Sequence, residues 1–307
     1  MPPVLVTGAT GAVGAALVAR LLRDGEDVRA FARRPERVLA DVPVVQGDAI
    51  TGQGLDEALD GVEVAYFLIH SMEGAGGDGF ADLERQAAER FAAAAGRTGL
   101  RRVVYLGGLV PRDKAISRHL ASRLAVEDIL LASAAEAVAF RASIVVGARS
   151  RSFRFLVRLV ERTPVLPLPG WRGFRTQPID ERDVMAYLAA AGSSPAVKGA
   201  LSLDIAGPDV VTYGEMIERI RDLMLVGRPS IGLPISMTKV AAKVAAAIAG
   251  EDVGLIEPLM ESLASDLLPR DDRAAGLFGV RLHRFDAAVE HALRIWEQEQ
   301  PGSVAAR

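Results

Sequence analysis

The stretch Val4-Leu5-Val6-Thr7-Gly8-Ala9-Thr10-Gly11-Ala12-Val13-Gly14 constrains this chain more than any other. It reads as a buried strand that runs into a glycine turn and then a helix beginning near Ala12. Each glycine has a distinct expected task. Gly8 takes the backbone angles of a tight exit turn, Gly11 lets the main chain approach a pyrophosphate with no Cβ between, and Gly14 lets helix and strand pack closely. Phosphates then meet the unpaired N–H groups at the helix start, where the dipole favours negative charge. Gly8, Thr10, Gly11, Ala12, Val13 and Gly14 are therefore the expected cofactor cradle. The spacing is G-x-x-G-x-x-G, not the standard G-x-G-x-x-G, and a glycine-punctuated turn between two packed elements would look alike. The setting between a strand and an amphipathic helix favours the cradle.

From residue 3 to about residue 146 short apolar runs alternate with helical patterns, the signature of βαβ units. Val13, Leu17 and Leu21 mark the inner face of the first helix. Strands are expected at Val28–Ala32, Val42–Val45, Val62–Ile69, Val103–Leu106 and Ala137–Ile144. Between them, Leu83, Ala87 and Phe91 face inward on a long helix whose Asp82, Glu84, Arg85, Glu89 and Arg90 face water, and a further helix covers roughly residues 114 to 132. The predicted fold class is α/β, a doubly wound parallel sheet of the Rossmann type with a smaller C-terminal substrate lobe. Residues 1–147 form the dinucleotide-binding core and residues 148–307 the lobe, packed as one continuous unit. In the lobe the pattern predicts helices at 151–160, 183–191 and about 286–297 and a strand at 201–205. A helix from Thr212 to Met224 opens with a Thr212/Glu215 capping box.

Composition narrows the partners. A net charge of −3 gives no electrostatic reason for nucleic acid, and the absence of cysteine excludes disulfides, thiolate metal sites and a cysteine nucleophile. His283 and His291 show no metal-ligand spacing, so no metal is assigned. Met1-Pro2-Pro3 leads straight into the first strand, and the apolar run Val240 to Gly250 is short and interrupted by Lys243; the expectation is a cytoplasmic protein with no membrane segment.

At the end of the second strand, where an NAD-preferring sheet carries an acidic residue for the ribose 2′-hydroxyl, this chain has Arg33-Arg34. Guanidinium groups grip phosphate bidentately, so the pair points to NADP(H) in preference to NAD(H). The alternative is two exposed arginines in a polar turn. Gly47-Asp48-Ala49 follows the third strand: Asp48 either accepts a hydrogen bond from the adenine amino group or caps the next helix. His70 touches the nicotinamide or its ribose, or is a structural histidine. The glycine-rich stretch Ser71–Gly79 behind it is a lid or a connector.

With these residues placed, the chain resembles the atypical short-chain dehydrogenase/reductase superfamily, and within it the NmrA-like and NAD(P)H-binding proteins. The resemblance rests on Val6–Gly14, Gly47-Asp48-Ala49, Phe67–Met72, Val103–Gly108, His119–Arg123, Arg141–Gly147 and Gln177–Asp183. It implies a Rossmann-type fold, a bound nicotinamide dinucleotide and a substrate lobe, with Leu68, Ile69, His70 and Gly107 beside the cofactor and Ala49 near its adenine end. It also exposes a gap. Where the superfamily places Tyr-x-x-x-Lys this chain has His119 and Arg123, and the serine or threonine after the fifth strand is replaced by Gly107-Gly108. Either His119 moves the proton and Arg123 binds a ribose or polarises a carbonyl, or the scaffold has lost its chemistry. Tyr66 and Tyr105 lie inside predicted strands and read as core.

Gly108, Ser143 and Trp171 are the expected pocket residues, Trp171 stacking on a flat substrate. Packing against the lobe is the other reading of Trp171. Arg151, Arg154 and Arg158 share one helix face, as a site for an acidic substrate or partner or as a solvated face. The favoured function is an NADP(H)-dependent oxidoreductase acting on a small carbonyl, quinone or similarly flat substrate, as a monomer or homodimer. The alternative is a non-catalytic NADP(H)-binding regulator or assembly factor that contacts a protein; a sugar-nucleotide epimerase or dehydratase, which needs the missing tyrosine, ranks last.

Overall fold

Seven parallel strands carry the molecule. The computed structural model describes residues 2–69, 79–111, 117–168, 170–232 and 265–299. In chain order the first half contains β1 (Val4–Thr7), α1 (Ala12–Arg23), β2 (Val28–Ala32), β3 (Val44–Gln46), α2 (Leu55–Leu59), β4 (Val64–Phe67), α3 (Phe80–Thr98), β5 (Arg102–Gly108), α4 (Arg118–Leu131) and β6 (Glu136–Ala142). The second half follows with β7 (Val145–Val146), α5 (Arg151–Arg162), β8 (Leu166–Leu168), β9 (Arg175–Thr176), β10 (Ile179–Asp180), α6 (Glu181–Ser193), β11 (Ala200–Ile205), β12 (Val211–Thr212), α7 (Tyr213–Leu223), β13 (Ser230–Gly232), α8 (Arg273–Phe278) and α9 (Phe285–Glu299). The main sheet has the order β3-β2-β1-β4-β5-β6-β11, and its pairings are parallel throughout. Strand order reverses between β1 and β4, the switch point at which such sheets leave a crevice at the carboxyl ends of their strands.

Side chains alternate across the sheet with the period of a strand. Val4, Val6, Val104 and Leu106 join the core under α1 and α6, whereas Leu5, Val103 and Tyr105 join the core under α2, α3 and α4. Leu17 and Leu21 are buried on α1, as the four-residue spacing predicts. A third core lies among α5, α7 and α9, where Phe153, Trp171, Tyr213 and Trp296 are buried. The capping box is present: Thr212 Oγ1 accepts from the Glu215 N–H at 3.1 Å and Glu215 accepts from the Thr212 N–H at 2.7 Å.

Two expectations change. The sheet reaches past the boundary at residue 147, because β11 pairs with β6 from Ala200↔Ala137 to Ile205↔Ala142 and so takes the seventh position. α6 packs on the same face as α1, so residues 179–205 return to the sheet and the lobe proper lies on either side of them. Glu84, expected in water, is 4% exposed; its partners, described below, hold it against α4. No described helix is long and apolar enough to cross a membrane.

Candidate functional site

The turn between β1 and α1 is built from the backbone outward. Thr7 is fully buried; its hydroxyl donates to the Tyr66 carbonyl at 3.1 Å and accepts from the Leu68 N–H at 3.2 Å, which extends the β1–β4 pairing beyond its last ladder bond. This brings the chain after β4 against Gly8, whose φ is +68° and whose missing Cβ would lie 2.4 Å from the Leu68 carbonyl oxygen. Gly14 is confined in the same way, since a Cβ there would lie 2.2 Å from the Gly8 oxygen. Protein packing alone accounts for both glycines.

Gly11 differs. Its φ of −82° suits any residue, and a Cβ would meet only the Gly8 oxygen, at 3.3 Å. The fold presses on Gly11 far less than on Gly8 or Gly14, and apart from that one oxygen the vacancy is open, as a close-approaching ligand requires. The Gly11 N–H closes the turn onto the Gly8 carbonyl at 2.9 Å, and α1 begins with no side-chain cap and no acidic residue in its first turn. The N–H groups of Ala12, Val13 and Gly14 therefore face an edge with no competing carboxylate, beside exposed Thr10. These residues fit a dinucleotide pyrophosphate.

Arg33 and Arg34 leave β2 at the same edge, both exposed, and neither guanidinium has a partner among the described residues. Sequence reasoning missed a third cation. Arg37 closes a 3-10 turn, its N–H donating to the Arg34 carbonyl at 3.0 Å, and it too is exposed; the signal was Pro35, a residue suited to the first position of a helical turn. Asp48 is partly committed: Oδ1 accepts from the Ile50 N–H at 2.8 Å and braces the turn that ends in the Asp48↔Gln53 bridge. It caps this turn and not α2, whose N-cap is Gly54. Ala49 is buried beneath the turn, and Leu68 and Ile69 follow β4 beside Gly8.

Residues 8–145 match the family described as NAD(P)H-binding. The chain is 31% identical over 235 residues to a ceramide reductase of Caulobacter vibrioides, covering 75% of this chain and 73% of that protein. The chain belongs to the NAD(P)H-binding family. This NAD(P)H-binding protein is also 29% identical over 252 residues to a (4-alkanoyl-5-oxo-2,5-dihydrofuran-3-yl)methyl phosphate reductase of Streptomyces griseus, covering 78% and 81% of the two chains. Its fold is like that of the UDP-glucuronic acid 4-epimerase of Bacillus cereus, solved with UDP-glucuronic acid and NAD, at a TM-score of 0.72 and 14% identity over 97% of this chain and 99% of the other.

The second half of the candidate site departs from expectation. Arg123 does not reach the carboxyl edge as a ligand or carbonyl contact. It is 6% exposed between α3 and α4, where its guanidinium lies 3.7 Å from Glu84 Oε1 and donates to the Tyr105 hydroxyl at 3.4 Å. Ser122 donates to the other oxygen of Glu84 at 2.9 Å. A charge this deep is retained by its opposite charge and hydrogen bonds, so Arg123 clamps α4 to α3. His119 lies in the first turn of α4, and its side chain lies outside the described part of the structure. His70 and residues 71–78 of the glycine-rich stretch lie outside the described residues as well.

Tyr66 and Tyr105 are each 1% exposed, with hydroxyls pushed up by burial, as core residues should be. Gly107 and Gly108 end β5; a Cβ on Gly107 would lie 3.0 Å from the Tyr105 ring and one on Gly108 3.3 Å from Leu120 Cδ2. Trp171 does not offer a face for stacking. It is buried in the lobe core, edge-on to Tyr213 at 5.8 Å between ring centres. Of the arginine stripe on α5, Arg151 is exposed and Arg154 sits 5.3 Å over the Trp296 ring.

Ser143, immediately after β6, is buried with its hydroxyl 3.0 Å from that of Thr176. Near the start of α6, Glu181 packs against Gly147, where a Cβ would lie 2.6 Å from Glu181 Oε2; burial, with Asp180 beside it, pushes the Glu181 carboxyl up to about 7. His283 Nδ1 lies 2.6 Å from Asp183 Oδ1, and the His283 N–H donates to Oδ2 at 2.8 Å, so this histidine ties the α8–α9 connection to α6. No group of three or more His, Asp or Glu side chains suited to a metal ion occurs among the described residues.

Proposed function

We propose that this chain is a cytoplasmic NADP(H)-dependent oxidoreductase that acts on a small carbonyl, quinone or similarly flat organic substrate without the Tyr-x-x-x-Lys pair. The observation that carries the cofactor preference is the cluster Arg33, Arg34 and Arg37 beyond β2, exposed and without a side-chain partner among the described residues where an acidic residue would serve NAD. Three guanidinium groups on one turn suit the doubly charged oxygens of a 2′-phosphate. Two curated relatives, one matching 75% and one 78% of the chain, are reductases, which supports the reaction class.

When bound, the nicotinamide supplies or accepts a hydride. The chain's own residues do the holding. The Gly8–Gly14 turn takes the pyrophosphate on the first N–H groups of α1, the arginines take the ribose phosphate, and the stretch Leu68–Ile69 walls the carboxyl edge next to Gly8. One observation favours the second reading, a non-catalytic NADP(H)-binding regulator: the burial of Arg123 removes one of the two groups that stood where the catalytic pair is expected.

A single experiment separates the readings. Purified protein is incubated with NADPH and a panel of quinones, aldehydes, ketones and enones while the nicotinamide absorbance is followed. Turnover supports the reductase; tight binding with no turnover across the panel selects the regulator. The cofactor preference is read from Arg33→Ala with Arg34→Ala, which is expected to remove most discrimination between NADPH and NADH. A double variant that keeps that discrimination overturns the assignment.

A further inference from the structure

β5 ends on Gly107-Gly108 and brings no hydroxyl to the carboxyl edge, but the neighbouring strand does. Gly108 pairs in register with Ala142, the last residue of β6, and the Leu109 N–H donates to the Ala142 carbonyl at 3.0 Å. Ser143 comes next, its own N–H donating to the Ile205 carbonyl at 3.4 Å. It therefore stands one strand over and one residue beyond Gly108, about 5 Å across the sheet.

The Ser143 hydroxyl belongs to a chain. Its Oγ lies 3.0 Å from Thr176 Oγ1, both side chains are buried, and Thr176 in turn contacts the Tyr213 hydroxyl. Burial raises the Tyr213 hydroxyl above its ordinary value, so it remains a donor at any working pH. Each hydroxyl has one proton to give and can accept another. Either hydroxyl of the Ser143–Thr176 pair can be the donor; the order that leaves the Ser143 proton for an outside acceptor is Tyr213 to Thr176 to Ser143, and the opposite order consumes it within the chain. The chain also crosses a junction, because Ser143 follows the main sheet while Thr176 and Tyr213 belong to β9 and α7 of the lobe.

We propose that Ser143, oriented through Thr176 and Tyr213, donates the hydrogen bond that holds the substrate's carbonyl oxygen, replacing the hydroxyl absent from Gly107-Gly108. Ser143 is then a substrate contact, and Thr176 and Tyr213 are positioning residues. The proposal rests on the carbonyl-reductase reading of this same site.

The test measures kcat and KM for phenanthrenequinone with NADPH, and separately the quenching of Trp171 and Trp296 fluorescence by the quinone in the unreactive NADP+ complex. Ser143→Ala should lower kcat by about a hundredfold, as removal of one preorganised donor does, and weaken quinone binding about tenfold. Ser143→Thr should restore most of both, and NADPH affinity should stay within twofold throughout. Tyr213→Phe and Thr176→Val should each lower kcat roughly fivefold to tenfold at unchanged KM, with Thr176→Ser near wild type. Gly108→Ser added to Ser143→Ala should recover activity, since its Cβ meets only the end of the Leu120 side chain, at 3.3 Å.

Turnover by the wild type with Ser143→Ala within threefold of it overturns the proposal and leaves the reductase reading standing. Loss of quinone binding in Ser143→Ala with no wild-type turnover supports the donor and overturns the reductase reading. A wild type that neither binds nor reduces any member of the panel, this quinone included, overturns both.

Discussion

Gly11→Ala and Gly14→Ala differ by three positions and should have opposite consequences. At Gly14 the new methyl group would lie 2.2 Å from the Gly8 oxygen, 2.7 Å from its carbonyl carbon and 3.0 Å from the Ala9 Cα. All three are backbone atoms of the turn, so α1 must move away from β1, at the upper end of the roughly 1–3 kcal/mol seen for overpacking. For a chain of this size that lowers Tm by roughly 5 °C or more. At Gly11 the methyl meets one oxygen at 3.3 Å, and the backbone angles suit alanine. The unfolded chain loses entropy worth about 0.4–1 kcal/mol, and the poorer N-cap costs a similar amount, so stability should change by less than about 1 kcal/mol. NADPH affinity should nevertheless fall at least tenfold, because the methyl occupies the face left for the pyrophosphate. Thermal unfolding without cofactor gives the first quantity, and quenching of tryptophan fluorescence by NADPH gives the second. Unchanged affinity in Gly11→Ala, or destabilisation equal to that of Gly14→Ala, would refute the division of labour among the glycines.

Other consequences concern charge. Glu181 holds its proton more tightly folded than unfolded, about 7 against 4.5, so its ionisation costs nothing below about pH 4.5 and costs most above pH 7, about 3 kcal/mol at the upper limit. Glu181→Gln should therefore stabilise the protein in urea at pH 8 and do little at pH 4.5; an equal effect at both would exclude titration as the cause. Arg123→Leu leaves the Glu84 carboxylate buried without this counter-ion and should destabilise by about 3–5 kcal/mol, most of which Glu84→Gln in the same chain should restore. If the double variant is no more stable than the single, the pair is not what holds α3 to α4.

The cradle was legible because its signals are local. Glycines at fixed offsets between a period-2 run and a four-residue apolar repeat report on neighbours within one turn of chain, and β1, its turn and α1 follow from them. The position of Arg33 and Arg34 directly after β2 was legible for the same reason. Arg123 was not. Helical spacing correctly placed it one turn beyond His119, but only tertiary packing shows that this side of α4 meets Glu84 of α3, 39 positions earlier in the chain. The same contact explains why Glu84 left the solvent face that its charge suggested. Trp171 looked like a pocket residue because it sits on a proline-glycine loop, and the core that takes it in is assembled from α5, α7 and α9, which no single stretch reveals.

The strand β11 has a consequence for how this polypeptide can be divided. It enters the sheet beside β6 after a detour of 57 residues, from Ala142 to Ala200, and in doing so covers the backbone edge along Ala137–Ala142. A fragment ending at the intuitive boundary would keep every residue of the cradle and still present a naked, apolar ribbon of unpaired amides to any passing chain. Such a fragment is expected to associate with itself; extension through Ile205 pairs this edge and moves the open one to β11, against which α8 packs. The glycine turn and the later half of the sequence thus share one sheet, whose seventh strand is supplied only after residues 143–199 have left it and returned.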